Sequence, residues 1–126
     1  MTVTTDAQTK ATIEAIERFN EAFNTHDVDA IMRLMTEDVV FDNTHPPDGK
    51  RYEGAAAVAG FWTTLFSSRP RAWFDTEDLI ATGDRCVTQW LFTFDSDDPS
   101  VGHVRGVDIF RVRDGKVCEK FSYVKG

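Results

Sequence analysis

His103-Val104-Arg105-Gly106-Val107-Asp108-Ile109-Phe110-Arg111-Val112 is the stretch on which fold and chemistry both turn. Read with a period of two, one face carries Val104, Gly106, Asp108, Phe110 and Val112. The other carries His103, Arg105, Val107, Ile109 and Arg111. Successive strand side chains point to opposite faces, so the pattern predicts a strand whose apolar row includes one carboxylate. A buried carboxylate is costly unless it is paired, hydrogen-bonded or protonated. Asp108 therefore either serves a cavity or is satisfied by local donors. Its row offers Val104, Phe110 and Val112 and no fixed cation, so the expectation is a carboxyl that favours its protonated form. His103 and Arg105 fall on the opposite side, facing solvent or a second subunit.

Working outward, Asp114-Gly115 signals a hairpin into a last strand over 116–124. Two registers are open. A two-residue loop puts Glu119, Phe121 and Tyr123 on Asp108's side; a three-residue loop with a glycine bulge puts Cys118, Lys120 and Ser122 there. Apolar content favours the first, which makes Tyr123 the expected pocket hydroxyl and Lys120 the reserve partner of Asp108. Upstream, 72–81 and 85–94 read as two further strands around Gly83-Asp84. Val39-Val40-Phe41 is a short strand that opens into Asp42 to Gly49, a loop with two prolines. Helical spacing of apolar residues covers 7–24, a short stretch from Val28 to Met35 behind the N-cap Asp27, and 54–67. Asp6 is placed to cap the first of these. Helices ahead of most of an antiparallel sheet make an α+β layout. The sheet is expected to curl into a cone closed by three N-terminal helices, with 1–126 as one domain and 1–6 as a loose tail.

The 126 residues suit a single core, and a formal net charge of -7 without a Lys/Arg cluster argues against nucleic acid. No apolar run is long enough to span a bilayer, so no membrane partner is expected. The first six residues lack the basic and apolar regions of a signal peptide, which points to the cytoplasm. Cys86 and Cys118 are isolated in strand-like runs and read as reduced, buried thiols. Three scattered histidines form no metal-ligand spacing, and neither a metal nor another cofactor is expected. Ten phenylalanines and three tryptophans supply a core and can line a pocket as well; Phe41, Trp62, Trp90 and Phe110 are the candidates for its wall. Asn43 and His45 sit where the first strand opens into its loop. Asn43 is a candidate donor to a ligand carbonyl, and His45 is either a proton shuttle or an exposed loop residue.

This order resembles the nuclear transport factor 2-like superfamily. The residues that carry the likeness are Phe23 to Ile31 at the helix corner, Leu34 to Phe41 at the entry to the first strand, and Gly106 to Val117 in the terminal hairpin. The hairpin is similar to that of SnoaL-like polyketide cyclases and ketosteroid-isomerase-like proteins. The resemblance implies the cone fold and makes Asp108 the match of the isomerases' oxyanion-binding Asp, which in that class is kept neutral by an apolar site. It departs elsewhere: Asn43 stands at the isomerases' general-base position, with Asp42 one place earlier, and Phe19 stands where they carry a Tyr. In SnoaL-like cyclases a single Asp near this strand acts as acid/base, and Asp108 resembles it.

Two functions are consistent with these residues. One is a cofactor-independent enzyme of isomerase, cyclase or dehydratase type, moving a proton on a small apolar carbonyl compound with Asp108 as acid/base. The other is a non-catalytic ligand-binding or dimerisation module with the same cone. The face opposite the cavity carries Val107 and Ile109, joined by Val87, Leu91 and Val117, and predicts a homodimer.

Overall fold

The computed structural model describes residues 6–96 and 98–126. Residues 1–5 of the tail expected over 1–6 lie outside the described residues, as does Asp97. The chain runs α1 (Ala7–Asn24), α2 (Val28–Met32), β1 (Met35–Asp42), β2 (Arg51–Glu53), α3 (Ala55–Ser68), β3 (Trp73–Thr82), β4 (Arg85–Thr93), β5 (His103–Arg113) and β6 (Lys116–Val124). The caps fall where the sequence puts them. Asp6 accepts from the Thr9 amide at 2.6 Å and Asp27 from the Ala30 amide at 3.1 Å, each satisfying a helix-end donor that has no partner within its helix.

The architecture is α+β, with one curved, unclosed sheet in the order β2-β1-β6-β5-β4-β3. Two features depart from the sequence expectation. The short strand β2 pairs with β1 through Tyr52 and was not anticipated, because three residues carry no periodicity. The pairing of β1 with β6 is parallel, so the sheet is not wholly antiparallel. Those two strands are separated by most of the chain, and no hairpin dictates their direction. In addition, Met35 opens β1 instead of closing the second helix. Register shifts occur between Met35 and Val40, between Thr76 and Asp78, and between Arg111 and Val112. Extra residues of this kind bend a strand and increase its twist, which curls the sheet over the helices.

The concave face and the helices share one core. Ile16, Phe19 and Phe23 of α1 and Val58, Trp62 and Phe66 of α3 meet Val39, Phe41 and Phe110 of the sheet, all at most 8% exposed. Two polar pins fix α1 against the sheet. At its start, Thr12 Oγ1 donates to the Gly83 carbonyl at 2.7 Å and Thr9 Oγ1 accepts from the Gly83 amide at 2.8 Å. At its end, Asn24 Nδ2 donates to the Phe74 carbonyl at 2.8 Å and its Oδ1 accepts from the Phe74 amide at 2.9 Å. The Asn24 amide thus imitates a neighbouring strand. Cys86 and Cys118 are free and buried, and burial pushes the Cys86 thiol up to about 11. Among the described residues no helix is long and apolar enough to cross a membrane.

Candidate functional site

Asp108 points inward and is 5% exposed, while His103 and Arg105 are exposed on the other face. Arg105 forms a two-pronged pair with Glu77, at 3.0 and 3.3 Å, and a His103 ring nitrogen meets the Pro99 carbonyl at 2.7 Å. The alternation around Asp108 therefore holds. The glycine in its row has a steric reason: a Cβ on Gly106 would lie 2.3 Å from the Tyr123 carbonyl oxygen and 2.6 Å from the Trp90 ring. Trp90 can close over the sheet only because Gly106 has no side chain.

The expected absence of a cation beside Asp108 is corrected. Lys120 Nζ lies 3.2 Å from Asp108 Oδ2, and the two side chains are 8% and 7% exposed. Lys120 Nζ donates to Ser122 Oγ at 3.1 Å, and Ser122 Oγ donates to Asp108 Oδ1 at 2.6 Å. The three groups close a ring of contacts in which both carboxylate oxygens are occupied. The ammonium also stands 4.8 Å from the Phe41 ring centre, 5.4 Å from Trp62 and 6.0 Å from Phe110. Those ring faces are electron-rich and favour the cation.

This cluster exists because β6 takes the second register. Asp108 pairs with Ser122 and Phe110 with Lys120. The turn itself has two residues, Asp114 and Gly115, both at positive φ (53° and 76°). The shift comes one step later: Val112 pairs with Val117 and Arg111 with Glu119, so Cys118 is an inserted residue. Its Sγ donates to the Arg111 carbonyl at 3.4 Å. Tyr123 is consequently on the outer face, 56% exposed, and is not beside Asp108. Val117 moves the other way, into the core at 0% exposure, and drops out of the expected subunit surface.

A cavity of about 350 Å³ opens next to the cluster. Phe41, Phe61, Trp62, Phe74, Trp90 and Phe92 make its wall, and Asn43, Thr44, Lys120 and Ser122 bring polar atoms to it. The structure thus brings together Phe41, Trp62, Trp90, Asn43 and Lys120 from the sequence candidates. Phe110 is packed deeper, edge-on to Phe19 with centroids 5.7 Å apart, and takes no part in the cavity wall. Asn43 Oδ1 is occupied by the turn, accepting from the His45 amide at 2.9 Å and the Lys50 amide at 2.7 Å. His45 is exposed and lines an adjoining, more polar recess at the rim with Asp48 and Tyr123. Asp42 is bound to Arg51 through two contacts of 2.7 and 2.9 Å. The Arg51 guanidinium holds its carboxyl below the usual range, which makes Asp42 a weak base.

Asp108 itself does not line the large cavity. It faces a small chamber of about 20 Å³ on its other side, with Asn20, Thr76, Thr88, Trp90 and Lys120. Ser122 and Lys120 are the members of the cluster that reach the large cavity. The bulged register of the sequence reading already places Ser122 on Asp108's side, but neither Ser122 nor Thr88 is among the sequence's site candidates. Val117-Cys118, two adjacent small apolar residues that break the alternation, is the signal that decides between the two registers in favour of the one with Ser122.

Comparison with known proteins agrees with this fold. The SnoaL-like domain profile matches residues 16–120. A nuclear transport factor 2-like protein of unknown function from Mesorhizobium loti is 36% identical over 100% of both chains, with a TM-score of 0.82. A candidate SnoaL-like polyketide cyclase from Jannaschia is 21% identical over 98% of this chain and 92% of its own, with a TM-score of 0.81. A candidate ketosteroid isomerase from Kribbella flavida is 20% identical over 94% of this chain and 81% of its own, with a TM-score of 0.77. No curated protein matches the chain.

Proposed function

The chain belongs to the SnoaL-like domain family, and on that footing we propose a cytoplasmic, cofactor-independent enzyme that moves a proton on a small apolar carbonyl compound. The reaction would be of isomerase, cyclase or dehydratase type. The observation that carries this reading is the buried Asp108–Ser122–Lys120 cluster, whose Ser122 and Lys120 reach the aromatic cavity.

An ammonium has three donors. Two of Lys120's meet Asp108 and Ser122, and the third is available to a ligand oxygen in the cavity. When a proton leaves the carbon next to a carbonyl, negative charge grows on that oxygen. A fixed cation in a water-poor site stabilises the charge where it develops. Ser122 takes the departing proton as it passes its own to Asp108 Oδ1, so the carboxyl ends the step protonated and the ligand ends it as an enolate. Reversal returns one proton to the same carbon or to a conjugated one. One carboxylate suffices, consistent with Asp42 being held by Arg51. The test needs no knowledge of the natural substrate. In deuterated water the protein should speed deuterium incorporation at the α carbons of 2-tetralone, a bicyclic ketone with acidic α protons, above the buffer rate by NMR.

One observation favours the non-catalytic alternative: Phe19 is core where the isomerases carry a Tyr, so a second oxyanion donor is missing from α1. A pure binder would quench Trp62 and Trp90 fluorescence with 2-tetralone and leave its exchange rate at the buffer value.

We also propose a homodimer through the convex face. Ile80, Val87, Ile109 and Phe121 are direct cross-strand neighbours, forming an apolar row over four strands. Ile80 is 65% exposed. Exposed apolar rows of this kind mark contact surfaces. Sedimentation at micromolar concentration should give twice the 14.2 kDa chain mass; a clean monomer contradicts the assignment.

A further inference from the structure

Asp108 stands between two spaces of different size, and lines only the smaller one directly. The large cavity is apolar and reaches the carboxyl only through Ser122 and Lys120. The small chamber behind it is walled largely by Phe19, Phe23, Phe74 and Trp90, but Asp108 lines it directly together with the polar groups of Thr88, Thr76 and Asn20. Its volume of about 20 Å³ is room for roughly one water, and it offers the two to four polar partners that a buried water needs. On its outer side Asn20 Nδ2 donates to Thr76 Oγ1 at 3.2 Å, which ties α1 to β3 across the seam. The same two residues line a surface cleft outside with Glu17, Glu21, Glu77 and Asp78. The bulge at Glu77 lies at this point, where the register of β3 against β4 shifts between Thr76 and Asp78.

We propose that Asp108 exchanges protons with solvent through this α1–β3 seam, by way of a water held by Thr88 and the Asn20–Thr76 pair, and not through the ligand cavity. The proposal rests on the acid/base reading of Asp108 and adds a back entrance to it. A ligand that fills the aromatic cavity blocks the front of the site, since Ser122 and Lys120 sit on its wall. The carboxyl would then have to wait for ligand release before it traded a proton taken from the ligand for one from solvent. A water contacting Asp108 from behind removes that wait. Asn20 and Thr76 are positioning residues in this scheme: they touch neither the cavity nor the ligand, and act by holding the water and the seam.

The test has two arms. A crystal structure of the wild-type protein at about 1.5 Å, without ligand, should show a water within hydrogen-bond distance of Asp108 and of Thr88, Asn20 or Thr76. A dry chamber overturns the proposal whatever the activity. Asn20→Leu, which fills the seam with apolar atoms, should expel that water while 2-tetralone still quenches tryptophan fluorescence with unchanged affinity. Its deuterium incorporation into 2-tetralone should then fall by about tenfold or more, with KM unchanged; Thr76→Val, a gentler change, should show a smaller fall in the same direction. Incorporation at the wild-type rate by a folded Asn20→Leu protein contradicts the route. If the wild type incorporates no deuterium above buffer, the enzymatic reading fails, and the crystallographic arm still decides whether the chamber carries water to Asp108.

Discussion

Asp108 and Lys120 are two charges taken out of water, and each is tolerable because of the other. Breaking such a pair by removing one partner leaves an uncompensated buried charge, whereas replacing both by uncharged groups of similar volume is much milder. Lys120→Met should therefore destabilise the protein by about 3–5 kcal/mol in urea unfolding. Asp108→Asn combined with Lys120→Met should recover a large part of that loss. Additive losses would mean that the two side chains do not stabilise one another. Ser122 has a different standing: its hydroxyl is the only group of the cluster that both bonds the carboxylate and lines the cavity without carrying charge.

At the scale of elements, the hairpin β5–β6 decides which residues meet. The sequence makes the turn legible through Asp114-Gly115, and the strand through the alternation around Asp108. The partner row on β6 was misread for a physical reason. Apolar content identifies the buried face only when the other face is polar, and here Phe121 and Tyr123 belong to a convex face that carries its own apolar row among its charged residues. The inserted Cys118 then reverses the alternation that the two-residue turn would set. The helices were easier, since their caps and 3.6-residue periodicity are local. The parallel β1–β6 pairing was not legible, because no local signal fixes the direction of strands so far apart in the chain. Long-range side-chain pins were equally hidden. Asn24 reads as a helix-end residue, yet it closes two hydrogen bonds with the Phe74 backbone fifty residues away. Asn24→Ala should lower stability by about 1–3 kcal/mol in urea unfolding, with the backbone groups of Phe74 left unpaired. A change within experimental error would show that water replaces the pin without loss.

For the whole molecule, the balance of charge sets the response to pH. The carboxyls of Asp6, Asp38, Asp42, Glu77 and Asp98 are held below their ordinary values, Asp38, Asp42 and Glu77 chiefly by hydrogen bonds from arginines and Asp6 and Asp98 by backbone amides. A carboxyl with a lower pKa in the folded state binds fewer protons there than in the unfolded chain. Its contribution is present above the unfolded values of 3.8 for Asp and 4.5 for Glu, and is lost as pH falls through the folded values. The urea midpoint should accordingly show no loss from these groups between about pH 7 and 5 and should decline below about pH 4. A midpoint that rises on acidification would contradict the assignment. The same molecule is organised around one asymmetry: a large aromatic cavity in front of the cluster, and behind it a chamber of about 20 Å³ that Asp108 lines directly with Asn20, Thr76 and Thr88. The central claim is that this cluster moves protons, and solvent deuterium incorporation into 2-tetralone by Asp108→Asn tests it most directly. The variant keeps the shape of the side chain but cannot accept the proton. It should unfold at lower urea, because Lys120 then lacks its charged partner, but as folded protein in buffer it should bind the ketone as judged by tryptophan quenching and incorporate deuterium on the order of a hundredfold more slowly than the wild type. A folded, ketone-binding Asp108→Asn protein that incorporates deuterium at the wild-type rate would contradict the account.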